Sequence, residues 1–281
     1  MKLLVEPCKK DINYIDNVDG LILAINDYSV ESICTFSVDE IIDIKKNNNC
    51  LIFVKINKNL FNEDIESIKD ILVKLNENKI DGVFFYDLAI LQLKKELNID
   101  IDLIWNQTHM VNNYMTCDYY YSKGVKYALL SKEITLEEIK EIINKSKIDC
   151  MVEVVSLPSV AYSKRKLVSN YFKDLNENSI NNISVKEKIT GDYYNVIEDS
   201  NGTSFFLNKI MNGTSIIKDL YNSKCNYIIF REYGIPDFLD LVSDTNEYIE
   251  NGCIDDTYVN KYKKLGDSTN FFFKKTIYKV K

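Results

Sequence analysis

The chain has 281 residues, of which 46% are apolar, 27% charged and 12% aromatic, a composition that fits a folded protein with a large core and excludes a disordered chain. Its 35 basic and 42 acidic side chains leave a net charge of −7, which argues against a stand-alone nucleic-acid binder built on one basic face. No apolar run approaches the roughly 20 residues of a membrane span, and the apolar part of MKLLVEPCKK is too short for a signal peptide, so a cytoplasmic protein with no membrane contact is expected.

In chain order, short apolar runs alternate with amphipathic stretches. The runs are residues 2–7, 20–25, 50–57, 82–87, 102–106, 127–131, 149–155 and 227–232. Continuous apolarity over so few residues suits strands buried on both faces. Helices are predicted over 37–46, 62–77, 88–97, 111–124, 135–145, 214–224 and 236–251. Two of them open with capping boxes, Ser37 with Glu40 and Thr135 with Glu138, in which side chain and backbone satisfy each other's free amides. Gly124 and Gly252 stand where helices should stop.

Eight buried strands alternating with helices predict the α/β class and a (β/α)8 barrel over residues 1–254. A doubly wound open sheet fits less well, because no G-x-G-x-x-G follows the first strand. The seventh connection, residues 156–226, is too long for a simple crossover. It should hold a basic turn and an antiparallel hairpin of 187–197 and 203–210 around a turn at 199–202. Residues 255–281 form a tail expected to pack on the barrel, with FFFKKTIYKV alternating like a strand.

Side chains at the C-terminal strand ends of such a barrel share one mouth. Those ends carry Glu6, Asn26, Asn57, Asp87, Asn106, Lys132 with Glu133, Glu153, and Arg231 with Glu232. His109, the single histidine, follows the fifth strand and is the default general base. Trp105 beside it reads as core. The most unusual local feature is VSLPSVAYSKRKLVSNYF, where Lys164, Arg165 and Lys166 follow Tyr162 and Ser163. Concentrated cation in an acidic chain suggests a small anionic ligand such as phosphate or carboxylate. The seven cysteines are scattered, with no C-x-x-C pair, and one histidine cannot complete a zinc site. No metal is expected.

At the basic stretch the sequence resembles the collagenase-like peptidase U32 family, whose signature runs approximately V-A-Y-S-G-R-C-x-L-S-N-Y. Upstream, GVFFYDLAILQLKKEL is similar to that family's D-x-x-x-x-Q-D-L-G-V-L-x-L element, with Asp87 in place. WNQTHMVNN is similar to S-T-Q-M-N-V-T-N, with Asn113 matching, and SKEITLEEIKEI to S-R-E-L-S-L-E-E-I-x-E-I, with Lys132 for arginine. Downstream, IIFREYG resembles K-I-E-G-R and keeps Glu232. The resemblance implies a barrel with the signature at its mouth. It places candidate ligand-binding residues at Tyr162, Ser163, Lys164, Arg165, Glu153, Arg231, Glu232, Asp87, His109, Asn113, Lys132 and Glu133.

Better-understood members assist oxygen-independent hydroxylation of a tRNA wobble uridine or of ubiquinone precursors, and hold an iron–sulfur cluster on four cysteines. Here Ser159 and Lys166 stand at two of those positions. No cysteine lies between Leu167 and Ile210, and the fourth position falls near Asn212. The resemblance therefore implies a cluster-free, accessory component of tRNA hydroxylation. Such a component would act with a cysteine-bearing paralogue and reach tRNA through it. Two alternatives stand beside this: a peptidase, as the family's name says, and a non-catalytic scaffold for the paralogue.

Overall fold

The computed structural model describes residues 1–178, 180, 182–252, 256–266, 268–269 and 271–274. Fourteen strands and nine α-helices follow one another among them. The chain begins with β1 (Lys2–Glu6), β2 (Gly20–Ile25), β3 (Thr35–Phe36), α1 (Val38–Asn47), β4 (Leu51–Ile56) and α2 (Ile65–Glu77). Next come β5 (Gly82–Phe85), α3 (Ala89–Leu97), β6 (Leu103–Trp105), α4 (Tyr114–Ser122), β7 (Tyr127–Leu129), α5 (Leu136–Lys145) and β8 (Asp149–Ser156). An inserted region holds β9 (Ser159–Ser163), α6 (Leu167–Asp174), β10 (Asn182–Lys186), β11 (Tyr193–Asp199), β12 (Gly202–Leu207) and β13 (Met211–Asn212). The chain then returns to the barrel through α7 (Ile217–Asn222), β14 (Tyr227–Arg231), α8 (Phe238–Asn251) and α9 (Asp256–Tyr262).

Eight strands close a parallel barrel in the order β1, β2, β4, β5, β6, β7, β8, β14, with β14 pairing back onto β1. All eight predicted runs are present. The strands are apolar on both faces because each face has a core of its own. Leu4, Ile22, Phe53, Phe84, Ile104, Met151 and Ile229 fill the barrel, with Tyr127 and Tyr227 stacked edge-on against Phe53. Leu3, Val5, Leu21, Leu23, Val54, Val83 and Leu103 join the outer core, to which the helices add Ile41, Ile68, Leu72, Ile139 and Leu241. Both capping boxes form: Ser37 accepts from the Glu40 amide and Thr135 from that of Glu138, and each glutamate bonds back. Gly252 closes α8 at φ 65°.

The insertion departs from the predicted hairpin. The predicted first arm begins too early, because residues 188–190 are a turn and the strand starts at Tyr193. The two arms pair as β11 with β12 through Asp199–Gly202. Two more strands flank them, giving the order β10-β11-β12-β9. The stretch read as a basic turn is thus a strand, β9, followed by a short turn and α6. Gly202 makes the β9–β12 contact possible: at φ 142°, a Cβ there would lie 2.1 Å from the Ser163 carbonyl oxygen. In the tail, α9 packs Tyr258 against Tyr248 and Thr245 of α8, and 271–274 form a turn whose Phe272 carbonyl accepts from Leu136 N. The rest of the strand expected in FFFKKTIYKV lies outside the described residues, as does Cys253. No helix among the described residues is long and apolar enough to cross a membrane.

Candidate functional site

The inward face of each strand continues upward in steps of two. Above Leu4 comes Glu6, above Phe53 comes Lys55, above Met151 comes Glu153, and above Ile229 comes Arg231. The top layer of the barrel is therefore ionic. Lys55 Nζ donates to Glu6 Oε1 at 2.8 Å, and Ser32 Oγ donates to the same oxygen at 2.9 Å. Arg231 Nε lies 3.2 Å from Glu6 Oε2 and 3.0 Å from Glu153 Oε2. Glu153 Oε1 accepts from Ser156 Oγ at 2.6 Å and faces Lys132 Nζ at 3.5 Å.

These groups are deeply buried; the Lys55 and Glu153 side chains are each 2% exposed. Burying a charge is costly unless a partner compensates it, and here each carboxylate lies between two cations. Burial alone would push the Glu153 carboxyl up, but Arg231 and Lys132 outweigh it and hold the group at about 2. Glu6 is likewise held below the ordinary carboxylate value against its burial, by Arg231 and Lys55. Burial wins at Lys55, whose ammonium is held below its usual value despite Glu6. Among the described residues, Arg231 Nε is the buried side-chain polar atom without an aligned hydrogen bond. It sits between two carboxylates and off the axis of both.

Above this layer lies a cleft of about 390 Å³. Glu31, Thr108, His109, Ser131, Lys132 and Glu133 form its polar side; Pro158, Val160, Leu207 and Phe271 form its apolar side. Glu31 stands at φ 57°, a conformation that costs a non-glycine residue energy, and its carboxylate accepts from Ser159 Oγ at 2.6 Å. Glu232 forms a second cluster beside the mouth. It accepts from the Cys8 amide at 2.7 Å and from the Tyr14 hydroxyl. Burial, with Glu232 next, pushes the Cys8 thiol up to about 12, which leaves it protonated and a poor nucleophile. A larger hollow of about 620 Å³, lined by Tyr127, Asp149 and Tyr227, opens at the N-terminal strand ends, the face that serves stability in barrels.

The predicted site residues divide into four groups. Glu153 and Arg231 meet in the buried layer; Lys132, His109 and Glu133 line the cleft, with Lys132 facing Glu153, and Glu232 adjoins it. Asp87 and Asn113 are structural. Asp87 accepts from the Ala89 and Leu60 amides, and Asn113 caps α4 through the Thr116 amide. Tyr162, Ser163, Lys164 and Arg165 line none of these cavities. β9 carries them into the inserted sheet, which rests on the loops that follow β2 and β4 at the mouth side of the barrel, through Asn201 on the Ser29 carbonyl and Lys164 on Phe61. There Tyr162 Oη donates to the Asn201 carbonyl at 2.6 Å, and Ser163 Oγ accepts from Arg165 N at 3.2 Å. Lys164 Nζ lies 3.4 Å above the Phe61 ring.

Sequence reading missed Lys55 and Glu31 and left Glu6 out of the site. For Lys55 a signal exists: it stands two residues beyond Phe53 in LIFVKI, on the inward face. No pattern marks Glu31, which lies in irregular chain.

The residues at the family's cysteine positions do not fit an iron–sulfur cluster, which needs thiolates. Ser159 is bonded to Glu31, the Lys166 ammonium to the Asp199 carbonyl, and the Asn212 amide to the Tyr262 and Gly266 carbonyls. Among the described residues no three His, Cys, Asp or Glu side chains gather as metal ligands.

The sequence profile of peptidase family U32 matches residues 17–236. tRNA hydroxylation protein P2 of Bacillus subtilis (strain 168) is 27% identical over 175 residues, 59% of this chain and 56% of that protein. An uncharacterised protease of Methanocaldococcus jannaschii is 32% identical over 144 residues, 48% of this chain and 35% of its own. tRNA hydroxylation protein P1 of Bacillus subtilis is 22% identical over 173 residues, 59% of this chain and 40% of that protein. The chain thus spans about half or less of the curated relatives' length. Among solved structures, a U32 peptidase superposes with a TM-score of 0.51 at 12% identity, over 84% of this chain and 94% of its own. That likeness shows the barrel fold.

Proposed function

The chain belongs to peptidase family U32, and from that premise we propose that it is a component of tRNA hydroxylation that works with a cysteine-bearing paralogue. Two relatives named as tRNA hydroxylation proteins, P2 and P1, support this reading. The observation that carries it is the pairing of that similarity with a retained Y-S-x-R stretch whose flanking cysteine positions hold Ser159 and Lys166. The chain keeps the family's barrel and brings no cluster of its own; the paralogue supplies it.

The peptidase reading has less behind it. His109 Nδ1 is 3.3 Å from Thr108 Oγ1, its chain neighbour, and among the described residues no third group orients the ring as a nucleophile–base pair needs. Ser163 is not among the residues that line the cleft with His109.

Deletion of the gene, followed by nucleoside mass spectrometry of total tRNA, tests the proposal. Loss of the hydroxylated wobble uridine is expected. Unchanged hydroxylation overturns it. Cleavage of gelatin or peptide libraries by the purified chain would favour the peptidase instead.

A further inference from the structure

The cleft and the basic stretch make unlike demands on a ligand, and β9 joins them. Around the cleft, the carboxylates of Glu31 and Glu133 outnumber the ammonium of Lys132, which already faces Glu153. A small free anion gains little there. A flat neutral ring suits it better, with edge groups toward Ser131 and Thr108 and its faces against Val160 and Phe271. The cleft's volume falls in the range of small-molecule sites.

β9 leaves this cleft at Ser159 and Val160, and the turn beyond it carries Lys164 and Arg165, both exposed. Neither enters an ion pair among the described residues. The Arg165 backbone is nevertheless fixed: its N–H donates to Ser163 Oγ, and its carbonyl accepts from Thr203 Oγ1 at 2.8 Å. Thr203 is held in turn by Glu198, which also takes the Val168 amide at the start of α6. The nearby Asp199 carboxylate is turned onto the Asn201 and Gly202 amides. Phe61, half exposed, lies beneath Lys164. Val160 to Ser163 spans roughly 10 Å at about 3.3 Å per residue, and the turn with Lys164 and Arg165 lies beyond it.

We infer that β9 is the track for a single-stranded RNA segment. One base enters the mouth cleft, and phosphates a few nucleotides away lie on Lys164 and Arg165. The inference rests on the proposed role in tRNA hydroxylation and names the surface that meets the RNA, in place of the expectation that the chain reaches tRNA only through the paralogue. A neutral ring at one end with negative charge spread away from it is the chemistry of a nucleotide strand. Cations next to an exposed aromatic ring are how sequence-tolerant single-strand sites are built. The anion called for by the basic stretch is thus a phosphodiester.

The test is fluorescence anisotropy with labelled octauridylate at two or more salt concentrations. Wild type, Lys164→Ala/Arg165→Ala, and Lys94→Ala/Lys95→Ala, on the outer face of α3, would be compared after circular dichroism shows all three folded. The first variant should bind at least ten times more weakly, with a salt slope shallower by about 1.4, because two single-strand phosphate contacts are lost. The α3 variant should match wild type. An oligomer carrying 5-iodouridine should crosslink to peptides containing His109 or Phe271. No binding by wild type, equal loss in both variants, crosslinks elsewhere, or equal displacement by polyglutamate would each overturn the inference. Lost binding with intact tRNA hydroxylation in the deletion strain would instead overturn the proposed function.

Discussion

Two clusters of charge sit at opposite ends of β9, and they differ in what balances them. In the barrel, Glu6, Lys55, Glu153, Arg231 and Lys132 compensate one another out of water. At the far end, Lys164 and Arg165 are exposed and enter no ion pair among the described residues; Lys164 rests on the Phe61 ring and Arg165 is held by its backbone. Compensated buried charge fixes geometry and has little left for a ligand. Uncompensated charge on a pinned backbone contributes little to folding and remains free to bind. The same residue types therefore serve structure in one place and recognition in the other.

The contrast can be broken most forcefully at Arg231. Arg231→Ala leaves Glu6 and Glu153 buried without their shared cation, and urea unfolding should show a loss of about 3–5 kcal/mol. A loss below about 1 kcal/mol would mean the layer is not coupled. Acid should do similar damage gradually. The folded Glu153 carboxyl sits at about 2 against an ordinary value of 4.5, so the folded state binds fewer protons than the unfolded one between these values. Its stabilisation is complete above about 4.5 and is lost as pH falls toward 2. The change is on the order of 3 kcal/mol, and the same titration of Arg231→Ala should be flatter.

At the joint between the two regions, Gly202→Ala puts a Cβ against the Ser163 carbonyl. Strain there should cost about 1–3 kcal/mol in thermal or urea unfolding, and RNA binding should fall with the displaced turn. The smallest effect on stability is expected at the exposed end. Lys164→Ala/Arg165→Ala should stay within about 0.5 kcal/mol of wild type while losing RNA affinity. A large destabilisation there would make the basic stretch structural and erase the contrast.

Much of the barrel was legible because burial on both faces writes itself as short unbroken apolar runs, and capping boxes such as that of Thr135 mark helix starts directly. The site was only half legible. Strand ends pointed to Glu153 and Arg231, but reading ends alone took Asn57 and passed over Lys55, whose role depends on strand parity. Asp87 and Asn113 were drawn in by two motifs, and their side chains hold backbone amides instead, those of Leu60 and Ala89 and that of Thr116 at the start of α4. The inserted sheet was the least legible part. Its strands are half exposed, so Asn182–Lys186 lacks an apolar run, and β9 is a strand through pairing with β12 rather than through its own composition. Glu31 acquires its place from a left-handed backbone in a loop, which no periodicity reveals.

Complementation of a deletion strain joins these threads. The hydroxylated wobble uridine in total tRNA would be measured by mass spectrometry with no gene, with the wild-type gene, and with Lys164→Ala/Arg165→Ala expressed at wild-type level. Restoration by wild type, and failure of the stable double variant, is the predicted result. Hydroxylation that persists without the gene, or that the double variant restores in full, would contradict it.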